Sequence, residues 1–229
     1  DFKVQGGTLW DNRYLYELYE EASLPWEWHS ELFKTAKEEG LICFSTPFDI
    51  SSVDFLEKLK CPIYKIASFE IMDIPLIKYI ASKGKPIIMS TGIAKFEDIQ
   101  LAVETCKQEG NDDITVLKCT SSYPAPIEEA NLKMIKRFKK DLNVKVGLSD
   151  HTEGSFVPTL AIAMGATVIE KHFTLDRSLP GPDHRASLEP NELKRMVDAL
   201  RNIEAAISGS GKKTPSESEI RNIEIIRKS

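Results

Sequence analysis

Six short runs rich in β-formers punctuate the chain. They are "LICFST" from Leu41, "PIYKIAS" from Pro62, "KPIIMST" from Lys85, "ITVLKCTSS" from Ile114, "VKVGLSD" from Val144 and "ATVIEKHF" from Ala166. They begin roughly 20 to 30 residues apart, the spacing of strand–helix units. Between them lie "SVDFLEKLK", "IPLIKYIASKG", "KFEDIQLAVETCKQEG", "NLKMIKRFKKDL" and "FVPTLAIAMG", whose apolar residues recur at helical spacing. Gly84, Gly110 and Gly165 stand where helices should stop. Strands that alternate with helices build a parallel sheet with right-handed crossovers. Two architectures satisfy that pattern, a doubly wound sheet and a (β/α)8 barrel.

The ends of the runs separate them. Each run starts apolar and finishes polar: Ser45 and Thr46, Lys65 and Ser68, Ser90 and Thr91, Thr120 to Ser122, Ser149 to His151, Glu170 to His172. A doubly wound sheet concentrates its site at one switch point. Polar groups at the C-terminal end of every strand mark the active-site face of a barrel instead. No G-x-G-x-x-G follows the first run. The expected fold is therefore α/β, a (β/α)8 TIM barrel with about six strand–helix units present and its first strands upstream of Asp1. Residues 1–207 are expected to form this partial barrel, ending in the helix "EPNELKRMVDALRNIEAAI". Residues 208–229 open with the polar "SGSGKKTPSESE" and read as a linker.

Composition narrows the partners. The chain has 229 residues, 41% of them hydrophobic, which suits one large domain. A net charge of -5 argues against nucleic acid. No apolar run approaches the ~20 residues of a membrane span. Cys43, Cys61, Cys106 and Cys119 are scattered with no C-x-x-C, which reads as reduced thiols in a cytoplasmic protein.

His151 in "GLSDHT" and His172 in "EKHFT" end successive strands, so a parallel barrel makes them neighbours. Two imidazoles at adjacent strand ends suit a divalent metal with open positions; each alone reads as a hydrogen-bonded rim residue. In "YKIASFE", Lys65 and Ser68 suit an anion. Glu70 is either a ligand for substrate hydroxyls or a first-turn helix charge. Ser90, Thr91 and Gly92 present hydroxyls and N–H groups to the same anion, or cap a helix. Ser121 and Tyr123 precede a proline-stiffened loop, where Tyr123 either lines a pocket or packs. Thr46 sits at the first strand end. Asp183 lies in the loop "SLPGPDH" after the sixth run, as a turn or site residue, and His184 beside it has no assigned chemistry. The "PWEWH" aromatics and His29 read as packing for the outer helices.

Taken in order, "FSTPFD", "YKIASFE", "MSTGIA", "KCTSSYPAP", "VGLSDHT", "EKHFTLD" and "GPDHRASLEP" resemble the nonulosonic (sialic-type) acid synthases. The resemblance runs from about residue 41 to residue 207. It implies a (β/α)8 barrel that condenses phosphoenolpyruvate with an N-acetylated amino sugar and releases phosphate. It also implies a divalent metal, Mn2+ or Mg2+, and a homodimer with a C-terminal antifreeze-like domain. By the same resemblance His151 and His172 are the metal ligands. Thr46, Lys65, Ser68, Ser90 and Ser149 contact phosphoenolpyruvate, while Glu70, Ser121, Tyr123 and Asp183 face the sugar. Lys65, Glu70 and Asp183 are the candidate catalytic residues. Ser121 stands where the N-acetylneuraminate members carry Asn. "GGTLWDNRYLYELYEEASLPWEWH" and "KIASFE" look like the pseudaminate branch, and "GPDHRASLEP" like the N-acetylneuraminate and legionaminate branches. Pseudaminic acid synthase is the favoured reading. The alternatives are a legionaminate or N-acetylneuraminate synthase, another phosphoenolpyruvate-dependent 3-deoxy sugar acid synthase, and a non-catalytic binding module. A sugar-phosphate enzyme needs a second basic site, and no Arg stands at any strand end.

Overall fold

Five of the six runs become strands of one parallel sheet: β1 (Tyr64–Ile66), β2 (Ile87–Ser90), β3 (Ile114–Cys119), β4 (Lys145–Asp150) and β5 (Val168–Lys171). Their spatial order is their chain order, which makes a curled half-barrel. The computed structural model describes residues 2–4, 11–181 and 183–226. Helices α1 (Leu15–Ala22), α2 (His29–Glu38) and α3 (Ile50–Lys58) precede the sheet. A helix then follows each strand: α4 (Ile74–Ala81), α5 (Phe96–Gln108), α6 (Lys133–Leu142), α7 (Phe156–Ala163) and α8 (Pro190–Ile207).

Local chemistry explains most boundaries. Asp49 caps α3 by accepting from the Ser52 N–H at 2.7 Å, and Asp73 caps α4 by accepting from the Leu76 N–H at 3.1 Å. α4 buries Leu76, Ile77 and Ile80, each contributing about 1.5–3 kcal/mol. β3 is buried along its whole length, as a strand covered on both faces must be. In β4, Gly147 is required by close approach. A Cβ there would lie 2.4 Å from the Val168 carbonyl oxygen and 2.5 Å from Leu117 Cδ2.

The first run, "LICFST", departs from expectation. It forms no strand, only a single parallel bridge from Ser45 to Tyr64. The Lys65 N–H reaches the Ser45 carbonyl at 3.4 Å. Among the described residues this segment has a strand neighbour on one flank only, and Pro47 removes the next donor. Leu41 and Ile42 are consequently exposed. The expectation of six strand–helix units is corrected to five strands plus a bridge.

His29 is structural, as expected: buried, with Nδ1 3.2 Å from the Pro25 carbonyl and its ring edge-on to Phe55. Trp26 stacks on Phe55 at 4.4 Å. Trp28 remains exposed and does not join them. Residues 208–216 are irregular, and α9 (Glu217–Ile226) follows. No helix among the described residues is long and apolar enough to cross a membrane.

Candidate active site

The strand ends converge. On β1, Lys65 is buried, and its ammonium donates to Ser90 Oγ on β2 at 2.7 Å and to the Ile66 carbonyl at 3.1 Å. Glu170 on β5 brings a carboxylate oxygen to 3.5 Å from the same ammonium, and Ser90 Oγ lies 3.4 Å from its other oxygen. Burial pulls the Lys65 pKa down, and Glu170 opposes that pull. Glu170 is a candidate site residue to which the strand-end pattern alone gives no role. The available signal was position: Glu170 lies in β5, two residues before His172, which follows the strand end at Lys171.

Next to this cation lies a buried seam. Ser68 Oγ is 3.4 Å from Cys119 Sγ, and Cys119 Sγ is 3.9 Å from His151 Nδ1. Burial pushes the Cys119 thiol up, but His151 and Ser68 outweigh it and bring its pKa down to about 7. Ser149 is buried and in register with Cys119 on one side and Glu170 on the other. Ser121 Oγ and one Glu70 carboxylate oxygen are buried without a hydrogen-bond partner. Both therefore retain hydrogen-bonding capacity for a ligand. Burial raises the Glu70 pKa, with Lys65 pulling the other way. Gly92 makes the close approach of these groups feasible. A Cβ on it would fall 2.1 Å from Ser121 Oγ and 2.6 Å from both Cβ and Oγ of Ser68. Gly92→Ala is expected to cost about 1–3 kcal/mol by overpacking and to weaken anion binding by displacing Ser68. Thermal denaturation with a phosphoenolpyruvate titration checks both, and an unchanged melting point with unchanged affinity would contradict this packing.

The two histidines meet as expected, with ring centroids 5.3 Å apart. Tyr123 covers both, 4.1 Å from His151 and edge-on to His172 at 5.6 Å. His151 Nδ1 lies 2.7 Å from the Thr120 carbonyl oxygen. A carbonyl only accepts, so Nδ1 carries the proton and the Nε2 lone pair is free. Asp183 Oδ2 approaches His172 Nδ1 at 3.8 Å, an electrostatic contact beyond hydrogen-bond distance. Asp183 thus sits, exposed, beside a candidate metal ligand. Among the described residues no group of three His, Cys, Asp or Glu converges as a complete metal cage. The donor set is two imidazoles with free positions, which fits a divalent cation that also takes substrate oxygens.

Two loops hold this arrangement. Lys118 donates to Thr120 Oγ1 at 2.5 Å, to the Cys119 carbonyl at 3.0 Å and to the Glu129 carbonyl at 3.3 Å. It thereby fixes the base of the Tyr123 loop. In the loop after β5, His184 Nδ1 is 2.7 Å from Thr174 Oγ1. Arg177 donates to the Ser187 carbonyl at 3.0 Å and pairs with Glu192. His184 therefore has a structural task in the Asp183 loop. Pro182 lies outside the described residues. Thr46 stands one residue past the Ser45 bridge, beside β1.

The sequence profile of the NeuB family matches residues 1–213. The chain belongs to the NeuB family. Among NeuB-type relatives, a pseudaminic acid synthase of Campylobacter jejuni is 50% identical over 222 residues, which is 97% of this chain and 64% of that protein. An N,N'-diacetyllegionaminic acid synthase of the same species is 47% identical over 88% of this chain and 60% of its own length. The chain thus spans slightly less than two thirds of these relatives. The N-acetylneuraminic acid synthetase of Leptospira borgpetersenii, solved with citrate, superposes with a TM-score of 0.83. It is 34% identical, over 93% of this chain and 75% of that one. NeuB membership and this superposition agree with the partial barrel.

Proposed function

We propose that the protein condenses phosphoenolpyruvate with an N-acetylated amino sugar, giving a nine-carbon nonulosonic acid and phosphate, and that the product is pseudaminic acid. The observation that carries the reaction class is a buried cation on the same face as two neighbouring imidazoles. Lys65, held by Ser90 and Glu170, lies on the same strand-end face as His151 and His172. The 50% identity to a pseudaminic acid synthase favours that product. The legionaminate relative, at 47%, keeps a diacetamido sugar of the other series as the second reading.

Lys65 and Ser90, with Ser68 and Ser149 in the adjoining seam, supply charge and hydroxyls for the phosphate and carboxylate. That fixes C3 of phosphoenolpyruvate for attack on the sugar's aldehyde carbon, a proximity effect. Positive charge then develops at C2, where the Glu170 carboxylate is placed to offset it. Water adds at C2, and the C–O bond to phosphate breaks. The unpartnered oxygens of Ser121 and Glu70, with Tyr123 and Asp183, face the sugar's hydroxyl and amide groups. His151 and His172 would hold Mn2+ or Mg2+, which supplies Lewis-acid polarisation of a carbonyl when bound. The four free thiols suit a reducing cytoplasm.

A substrate panel on the full-length protein tests this reading. Phosphate release is measured with phosphoenolpyruvate and either N-acetylmannosamine or the diacetamido sugars of the pseudaminate and legionaminate series. The pseudaminate-series sugar is expected to give at least about tenfold higher kcat/KM, roughly 1.4 kcal/mol of discrimination. Preference for N-acetylmannosamine would overturn the assignment of product.

A further inference from the structure

At the ends of β4 and β5, one residue before each of the two histidines, lies a buried ion pair that the proposed chemistry does not use. Lys171 Nζ is 2.6 Å from Asp150 Oδ2, and the two side chains are only 3% and 2% exposed. Asp150 and Lys171 are register partners across β4 and β5, and each immediately precedes a histidine. The Lys171 ammonium also donates to the Thr152 carbonyl. Asp150 Oδ1 in turn accepts from the Thr152 N–H at 3.2 Å and from its hydroxyl at 2.9 Å. One ammonium therefore ties down the residues on both sides of His151, while His172 follows Lys171 directly at the end of β5.

We propose that Lys171, with Asp150 and Thr152, is the positioning device of the histidine pair, setting the separation and direction at which the two imidazoles meet a divalent cation. A parallel β-ladder needs no ion pair to form. A buried pair of this kind adds little net stability compared with apolar side chains of similar volume, because both charges must be desolvated. What it does provide is a discrete geometry. Asp150 fills its acceptor sites from Lys171 and Thr152, so a shift of either strand end breaks several bonds together. The histidine carbonyls are tied as well, His151 by the Ala125 N–H at 2.8 Å and His172 by the Leu188 N–H at 2.9 Å. Main-chain freedom at both ligands is thus removed by contacts on both sides. Groups behind metal ligands commonly change affinity in this way without touching the metal.

The inference rests on the reading of His151 and His172 as a metal site, and the experiment separates the two. Mn2+ affinity of the full-length protein is measured by calorimetry, alongside thermal denaturation. Wild type is expected to bind, and His172→Ala to lose binding. If wild type does not bind, or if His172→Ala binds equally well, the metal reading itself fails. Lys171→Met is expected to weaken Mn2+ about 10–100-fold and to lower the melting temperature. The double variant Asp150→Asn/Lys171→Met removes the stranded charge. It is expected to regain melting temperature but not affinity. A folded Lys171→Met with wild-type affinity would overturn the inference, as would a double variant that regains both together, the signature of a purely structural pair. Should neither Lys171 variant fold, Thr152→Val carries the test. It deletes one hydroxyl, and a several-fold loss of affinity is expected, with an unchanged value counting against the proposal.

Discussion

His172→Ala is expected to lose bound metal and catalytic activity together, with kcat/KM falling by about 10^3-fold or more. Lewis-acid stabilisation is worth several kcal/mol, and each 1.36 kcal/mol is tenfold in rate. The fold should survive, because the His172 side chain is partly exposed at 35% and β5, which ends just before it, is held by main-chain pairing and the Lys171–Asp150 pair. Circular dichroism, metal content and phosphate release on one preparation distinguish the outcomes. An active variant with normal metal content would end the assignment of His172 as a ligand. The pH dependence of metal binding follows from the same geometry. Burial lowers the His172 pKa, and the neighbouring His151 adds to that effect against Asp183. Burial lowers His151 as well, but Cys119 and the Thr120 carbonyl outweigh it and hold this histidine above its ordinary value. As pH falls, the competing proton therefore arrives first at His151. Below its pKa the affinity should drop about tenfold per pH unit, one proton being displaced per metal bound. A flat affinity through that range would contradict the ligand assignment.

Lys65→Met is expected to raise KM for phosphoenolpyruvate by about 10^2-fold while leaving the protein folded. A charge-assisted hydrogen bond is worth about 1.5–3 kcal/mol. Lys65 is the buried cation within reach of both Ser90 and Glu170, so its loss removes attraction for an anion and leaves Glu170 repelling it. Stability should change little. The variant exchanges a desolvated ammonium for an apolar chain of similar length, and Glu170 remains partly in water to solvate its charge. Lys65→Arg is not expected to rescue. The site is buried, and the planar guanidinium fork cannot replace a compact ammonium among Ser90 Oγ and the Ile66 carbonyl. Initial rates at saturating sugar and varied phosphoenolpyruvate decide the matter, and an unchanged KM would remove Lys65 from the anion site.

Much of this site is legible in the sequence alone. Strand and helix periods are local properties of the chain. Hence the positions of β1 to β5, and the polar character of their ends, follow from "YKIAS", "IIMST", "TVLKCTSS", "VGLSD" and "VIEKH". The neighbouring placement of His151 and His172 needed only the added rule that consecutive strands in such a fold lie side by side. The "LICFST" segment misled because a strand's existence depends on its neighbours. Its composition is that of a strand, yet a single bridge is all it makes here.

The sequence by itself determined the order of elements from β1 to α8, the all-parallel sheet and the face on which chemistry gathers, because these depend on residue type and spacing along the chain. Only the tertiary structure decided which of the many polar side chains touch. Glu170 belongs with Lys65, Cys119 lies under His151, Asp183 stands beside His172, and Lys171 locks onto Asp150 and Thr152. Most of those contacts join residues of different strand–helix units, and the Asp183–His172 approach closes a loop. A 2.6 Å ion pair and a 3.8 Å approach differ by side-chain rotamer and sheet curl, neither of which is written in a local pattern.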